Sequence, residues 1–366
     1  MSGITGIFRR DGQDVDPANI KKMNDKIAHR GPDGSRVWSE GPVAFGHQIL
    51  HTTQESLHET LPFEDEESGL VITADARIDN RKDLAPQLGI EDNEYVSDSY
   101  FILKAYDKWG EKCPEELLGD FAFAIWDKNK EQLFCARDHM GVKPFYYYLS
   151  DRYFLFSTEI KCLNFFINPL KINNQKIADH LVGLFQDRET TFYEDIFRLS
   201  ASYQISVKMD NHFLKPYWNL DIKREIKLDS DEDYSNSFFY LFQDSVKCRL
   251  RSFFPVGFFL SGGLDSSSIV CVARDIMINA DNGNHPLKTF SATFDNLKEC
   301  DEQNYIKMVI DQGDIESYFI KADNLSPLSD INNLLKYVEE PFFTGNLYIH
   351  HHIYKKANKN GVRVIL

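Results

Sequence analysis

Residues 258–270 read FFLSGGLDSSSIV, and this stretch limits the possible folds more than any other. An apolar run ending at Leu260 reads as a buried strand, Gly262 and Gly263 follow, and Ile269, Val272, Ala273 and Ile276 continue at helical spacing. A strand that turns through two glycines into a helix is a unit of a parallel α/β sheet, and the compact apolar runs KTFSATF and VRVIL repeat the pattern. The first turn of such a helix presents bare amides, which makes it a ready anion site. The two glycines let the backbone approach an anion closely, while Ser261, Ser266 and Ser267 add hydroxyl donors. Asp265 is suited to hold Mg²⁺ against bound phosphates. The loop is not of the Walker type, which ends in GKS or GKT. The alternative is an ordinary strand-to-helix turn, although the full SGGLDSS string is far rarer than a lone glycine pair.

The first half has a different rhythm. GLVITAD, FAFAIWD, EQLFCARD, FYYYLSD and RYFLFST are short strand-like runs separated by Gly, Asp and Asn turns. Asp16-Pro17 reads as a helix cap and first helical position, with Ile20, Met23 and Ile27 behind it. A second helix is expected over 97–109, with Ile102, Ala105, Tyr106 and Trp109 as its apolar stripe. The organisation expected is a sheet-rich domain over 1–215 and an α/β domain over 216–366. The polar stretch DIKREIKLDSDEDYSN joins them, and a helix with Phe238, Leu241 and Phe242 on one side follows.

A net charge of −15 argues against nucleic acid as a partner, because phosphate backbones are bound by clustered Lys and Arg. No apolar run approaches the roughly 20 residues of a membrane helix, and the polar ITGIFRRDGQ is no signal peptide. A cytosolic protein is expected, with no membrane partner. The six cysteines contain no CxxC pair, which suggests neither structural zinc nor a disulfide framework and leaves them reduced.

The SGGLDSS loop resembles the pyrophosphate loop of enzymes that cleave ATP between its α and β phosphates. That resemblance implies ATP and Mg²⁺ as cofactors, Leu260 through Ser267 (with Leu264) around the nucleotide, and Ala292 on the next strand beside the adenine. For Leu260 and Ala292 a plain core role is the open alternative. Ahead of this loop, MSGITGIF, HRGPDG (29–34), AFGHQIL (44–50), RIDNRKDL (77–84), LLGDFAFAIWD (117–127), ARDHMGVKPFYY (136–147) and STEIKCL (157–163) resemble, in order, the class II glutamine amidotransferase domain of asparagine synthetase. The fold implied is an α+β N-terminal-nucleophile-type sandwich with αββα layering, followed by an α/β adenine-nucleotide-hydrolase-like domain.

In working members of that family an N-terminal Cys thiolate releases ammonia from glutamine. Here Ser2 stands at the nucleophile position. Serine is the poorer nucleophile because its hydroxyl is almost never ionised near neutrality, although removal of Met1 would give it a terminal amine as base. Ile49 replaces the arginine that grips the glutamine carboxylate, and Asp75 and Ala76 replace the Asn-Gly oxyanion hole. Only Asp98, which would bind the substrate α-amine, remains. Losing one oxyanion donor costs about two to three decades in rate, so the amidotransferase half is expected to be a degenerate scaffold with no catalytic residue retained.

Family members without this cysteine resemble β-lactam synthetases and the lasso-peptide cyclases, both of which use an internal amine in place of ammonia. The segment YVEEPFFTGNLYIHHHIYKKANKNGVRVIL looks closer to the lasso cyclases. The activity implied is adenylation of a carboxylate of a precursor peptide, then attack by the peptide's own amine to give an isopeptide bond and AMP. The alternatives are asparagine synthesis from aspartate with ammonia or glutamine, and a non-catalytic homologue. Glu339 and Glu340 either face the substrate or form an exposed helix-end pair. His350, His351 and His352 diverge by about 100° per residue on a helix and cannot converge on one ion. His47 and His51 read as strand and turn residues. The run VRVIL stops at Leu366, where the family continues into a second acidic loop and a helical remainder. Residues 1–366 are therefore expected to be the N-terminal part of a longer enzyme, binding ATP weakly on their own without turnover.

Overall fold

The computed structural model describes residues 1–279, 286–342 and 344–366. The chain divides into two compact units: Met1–His51 with Glu55–Ile222, and Thr52–Gln54 with Lys223–Leu366.

The first unit has two six-stranded antiparallel sheets. One runs in the order Ile196–Arg198, Tyr146–Leu149, Tyr153–Ser157, Gly3–Arg9, Val43–Ile49, Gly34–Glu40. The other runs His212–Pro216, Tyr203–Val207, Gln132–Arg137, Gly119–Asp127, Leu70–Ile78, Phe63–Asp65. Alternation along the strands decides the layers. Ile4, Phe8, Phe45 and Phe156 of the first sheet meet Val71, Ala122, Ala124 and Leu133 of the second in a shared core. Ile72, Ala74, Phe121 and Phe123 face the opposite way, against Phe101, Ile102 and Tyr106 of helix Asp98–Trp109. The outer face of the first sheet, through Ile7, Ala44 and Leu155, packs on Ile20 and Met23 of helix Pro17–Asp25. The result is a four-layer αββα sandwich.

Both expected helices form with expected caps. The Asp16 carboxylate accepts from the Ala18 amide at 2.9 Å ahead of Pro17. Ser97 accepts from Tyr100 at 3.3 Å ahead of Asp98.

The second unit holds a four-stranded parallel sheet in the order Ile315–Lys321, Leu287–Thr293, Val256–Phe259, Val364–Ile365. Phe258, Leu260 and Leu287 pack with Val246, Val270, Ala273 and Ile306 of helices Asp231–Arg249, Leu264–Asn279 and Gln303–Ile310 on one face. Phe290 packs with Ile353 and Ala357 of helix Leu347–Lys359 on the other. In chain order the strands lie third, second, first, fourth, so the connection reverses direction beside Val256–Phe259. In open α/β sheets ligands bind at such a switch point, outside the carboxyl ends of the strands. The SGGLDSS loop leaves the sheet there.

The region between the units departs from expectation. Helix Asp231–Arg249 begins inside the stretch read as a polar connection, because the Ser230 hydroxyl caps the Asp233 amide at 3.2 Å and three acidic residues fill the first turn. Of the expected side, half-buried Phe242 packs on the core beside buried Val246, whereas Phe238 and Leu241 are exposed. Among the described residues no helix is long and apolar enough to cross a membrane. Cys113, Cys135 and Cys162 are buried thiols, Cys248 and Cys271 are half-buried, and Cys300 is exposed.

Candidate functional site

In the second unit the loop after strand Val256–Phe259 is tied to the sheet before it turns. The Leu260 amide donates to Phe290 O at 3.1 Å, and Leu260 O accepts from Ser291 Oγ at 2.6 Å. The loop then closes on itself. The Ser261 amide donates to Ser266 Oγ at 3.2 Å, the two hydroxyls lie 2.9 Å apart, and Ser266 Oγ also donates to Gly263 O at 3.2 Å. The Gly263 amide reaches Ser261 Oγ at 3.2 Å and the Ser267 amide reaches Gly263 O at 3.1 Å. Gly262 sits at φ +90°, in the region that favours glycine. Helix Leu264–Asn279 therefore starts from a shaped turn, and its first amides have no intrahelical acceptor. Ser261, Leu264 and Asp265 are exposed on this turn. The turn suits a phosphate group: Gly262 and Gly263 carry no side chain, hydroxyls of Ser261 and Ser266 flank them, and the first helical amides lack intrahelical acceptors. Asp265 is the one carboxylate in the loop's first helical turn. One carboxylate suits an Mg²⁺ ion carried by phosphate oxygens, because this ion commonly takes one or two carboxylates plus substrate phosphates.

Two expected nucleotide contacts are placed differently. The Leu260 side chain is 0 % exposed, enclosed with Val270 and Ile306, and cannot face a base without leaving the core. Ala292 is half-buried on the opposite side of the sheet, in the cluster of Phe290 and Ile353. The two side chains do not face one another, so any contact from Leu260 in this arrangement comes from its backbone.

Glu339 and Glu340 are half-buried in the irregular segment after the short helix Ile331–Leu335. That corrects the expected helix-end pair. The three histidines point apart: His350 stacks near Phe259 with centroids 5.5 Å apart, and His351 Nε2 lies 3.2 Å from Asp330 Oδ2. His352 borders His351 at 6.1 Å between rings.

In the first unit Ser2 sits ahead of strand Gly3–Arg9, which pairs with Val43–Ile49. Its Oγ accepts from the Leu50 amide at 3.1 Å and lies 3.5 Å from Leu50 O. Ile49 is half-buried. On strand Leu70–Ile78, Val71, Thr73 and Asp75 face the other sheet; Thr73 Oγ1 lies 3.3 Å from Nδ1 of buried His47. Burial pushes the His47 imidazole down to about 4, which keeps it neutral. His51 is half-buried, its amide donating to Asp33 Oδ2 at 2.9 Å. Asp75 is 5 % exposed and pairs with Lys143 Nζ at 2.8 Å. Burial alone would raise the Asp75 carboxyl; the adjacent Lys143 ammonium helps hold it below its ordinary value. Ala76 faces the helix layer and packs against that core.

Asp98 opens helix Asp98–Trp109 and is already paired, with Arg81 Nη1 at 2.8 Å. Arg81 also binds Asp92 at 2.7 Å and lies 4.4 Å over the Phe101 ring. Glu59 accepts a hydrogen bond from Ser99 Oγ beside this cluster. Enclosure, with Asp98 close by, pushes its carboxyl up to about 7 from 4.5. A carboxyl raised in the folded state binds a proton that the unfolded chain releases, so folding stability falls as pH rises from about 4.5 to 7. Glu59→Gln is expected to stabilise the first unit at pH 8 by on the order of 2 kcal/mol, discounted because Glu59 keeps part of its surface in water, and to do little at pH 4. Urea unfolding at the two pH values measures this, and equal midpoint shifts would contradict it.

Lys143, Arg30 and Glu159 are charged neighbours of these positions that sequence reasoning passed over, although all three lie inside quoted motifs. The available signal was Asp75 itself: a charge placed on an apolar strand requires a counter-cation.

Residues 1–218 match the glutamine amidotransferase domain family, and residues 238–366 match the asparagine synthase family. A Methanocaldococcus jannaschii protein provisionally named as glutamine-hydrolysing asparagine synthetase 2 is 31% identical, over 93% of this chain and 69% of its own length. The chain belongs to the asparagine synthetase family. Glutamine-hydrolysing asparagine synthetase 3 of Bacillus subtilis is 32% identical over 81% of the chain and 48% of its own length. The chain thus spans about half of that family member. Among solved structures, the glutamine phosphoribosylpyrophosphate amidotransferase of B. subtilis aligns with a TM-score of 0.42 at 12% identity, over 87% of this chain and 80% of that one, too low to carry an inference.

Proposed function

We propose that this family member is part of an ATP-dependent carbon–nitrogen ligase that activates a carboxylate as its adenylate, and that its amidotransferase half does not hydrolyse glutamine. The observation that carries the second point is the buried Asp75–Lys143 pair at 2.8 Å. A carboxylate at an oxyanion position opposes the charge that develops there. Ile49 offers no charge for a substrate carboxylate, and the Ser2 hydroxyl is engaged with Leu50.

In the second unit the amides and hydroxyls from Ser261 to Ser267 would hold the nucleotide phosphates, and Asp265 would hold Mg²⁺, which neutralises phosphate charge when bound. ATP supplies the AMP group transferred to the carboxylate, with pyrophosphate as the leaving group. An amine then attacks the acyl carbon of the adenylate, forming the amide as the bond to AMP breaks and AMP leaves. Loss of the ammonia-releasing cysteine favours an amine carried by the substrate, as in lasso-peptide cyclisation of a precursor peptide. Aspartate amidation is the second reading, favoured by the names of the relatives.

Pyrophosphate release by the full-length enzyme separates the two. Stimulation by a precursor peptide is expected under the first, and stimulation by aspartate plus ammonium alone would replace it with the second. Ser2→Ala is expected to leave pyrophosphate release unchanged, with no glutamate formed from glutamine by either protein. Glutamate release abolished by Ser2→Ala would overturn the silent-domain reading.

A further inference from the structure

We propose that Glu302 is the second carboxylate of the phosphate loop and makes nucleotide binding there depend on Mg²⁺. The proposal rests on the reading of Ser261 to Ser267 as the nucleotide-phosphate site.

The placement follows from Gly262. A Cβ built on that glycine would lie 2.7 Å from Glu302 Cβ and 3.0 Å from Glu302 O, so the two residues pack against each other where the loop turns. The Glu302 backbone is held there by opening helix Gln303–Ile310, its carbonyl accepting from the amides of Tyr305 at 3.0 Å and Ile306 at 3.1 Å. The side chain takes no part in that cap and is exposed. Three carboxylates on the segments after strands Leu287–Thr293 and Ile315–Lys321 are committed. Asp295 Oδ2 accepts from Lys321 Nζ at 2.7 Å, Asp301 Oδ1 from the Phe294 amide at 3.3 Å, and Asp323 from the amides of Asp295 and Asn296. Among the described residues no donor or cation is bonded to the Glu302 carboxylate.

Charge decides what this contact does. A side chain rooted beside Gly262 keeps its carboxylate within about a Debye length, roughly 8–10 Å, of phosphates on the loop amides, whichever rotamer it takes. Bare polyphosphate is repelled by Glu302 and Asp265 together. With Mg²⁺ on the phosphates the sign reverses, because this ion takes one or two carboxylates along with phosphate oxygens. The protein groups alone do not suffice: among the described residues no three His, Cys, Asp or Glu side chains are grouped as metal ligands. Binding of the ion is therefore tied to binding of the nucleotide, and the two carboxylates select the Mg²⁺ complex over the bare anion.

Titration calorimetry of the 366-residue chain with α,β-methylene ATP, which resists cleavage between its α and β phosphates, tests this in EDTA and in excess Mg²⁺ at matched ionic strength. Glu302→Gln keeps the size of the side chain and the contact with Gly262. It is expected to bind about threefold or more weakly than wild type in Mg²⁺, and about threefold or more tightly than wild type in EDTA. Glu299→Gln removes an exposed carboxylate earlier on the same segment and should match wild type in both buffers. Tighter binding of Glu302→Gln in both buffers would mean that Glu302 only repels, and unchanged binding in both would mean that its charge is not felt at the loop. Either result overturns the proposal while leaving the phosphate site in place. A wild-type chain that binds no nucleotide in either buffer would remove the phosphate-site reading itself, and this inference with it.

Discussion

Gly262→Ala is expected to lower the affinity for Mg²⁺-ATP at least tenfold, measured by titration calorimetry. The physical cause is local. At φ +90° an alanine is strained whatever the space available, and such strain costs about 1–3 kcal/mol. Its Cβ would also lie 2.7 Å from Glu302 Cβ and 3.0 Å from Glu302 O. Glu302 cannot easily retreat, because its carbonyl accepts from the amides of Tyr305 at 3.0 Å and Ile306 at 3.1 Å, and Ile306 is 1% exposed. The loop must move instead, which breaks the closed set of bonds linking Ser261, Gly263 and Ser266. Gly263→Ala is the control: its Cβ would meet only Ser261 Oγ, at 3.3 Å, and its effect should be several-fold smaller. Equal affinity in Gly262→Ala and wild type would mean that the nucleotide phosphates bind elsewhere.

What made this loop legible is that its chemistry and its backbone share one short string. A strand, two glycines, a serine set and an acidic residue are contiguous, so neighbours in sequence are neighbours in space. The strands were legible as short apolar runs such as FAFAIWD and LVITAD between turn residues, whereas the αββα layering was implied by the resemblance to the amidotransferase family. For Leu260 the core role left open by the sequence is the one its side chain takes, because an apolar residue at a strand end reads the same whether it lines a pocket or fills a core. The difference lies in helices Leu264–Asn279 and Gln303–Ile310, which close over it. Helix Asp231–Arg249 was started too late because its acidic first turn has the composition of a linker; the Ser230 cap turns that acidity into a helix signal.

The first unit's site was only half legible. Ser2, Ile49, Asp75 and Ala76 could be read as losses, one position at a time. That Asp75 is compensated could not, because Lys143 lies 68 residues away and meets it only when the loop after Arg137 folds beneath strand Leu70–Ile78. Long-range charge pairing has no local pattern. The same is true of Glu159, around which His29, Arg30 and Lys161 gather from two separate segments.

Glu159→Gln is expected to cost the first unit about 3 kcal/mol at pH 7. Glu159 is 4% exposed and accepts from His29 Nε2 at 2.9 Å, with Arg30 and Lys161 also paired to it. Burial alone would raise its carboxyl, but the His29 hydrogen bond, Arg30 and Lys161 together hold it at about 2. Glutamine keeps the size and removes the charge that Arg30 and Lys161 share and that His29 is bonded to. A carboxyl lowered in the folded state contributes stability above its unfolded value of 4.5, and that contribution disappears as pH falls toward 2. Wild type should therefore lose stability through this window, by about 3 kcal/mol from this group, while the variant shows a flatter profile. All four tryptophans, Trp38, Trp109, Trp126 and Trp218, belong to the first unit, so tryptophan fluorescence in urea follows its unfolding alone. Parallel pH profiles for the two proteins would show that Glu159 is not the acceptor on which Arg30 and Lys161 depend. A flatter profile in the variant would identify the His29-Arg30 turn, the Glu159 carboxylate and Lys161 as one electrostatic unit beside the strand that Ser2 precedes.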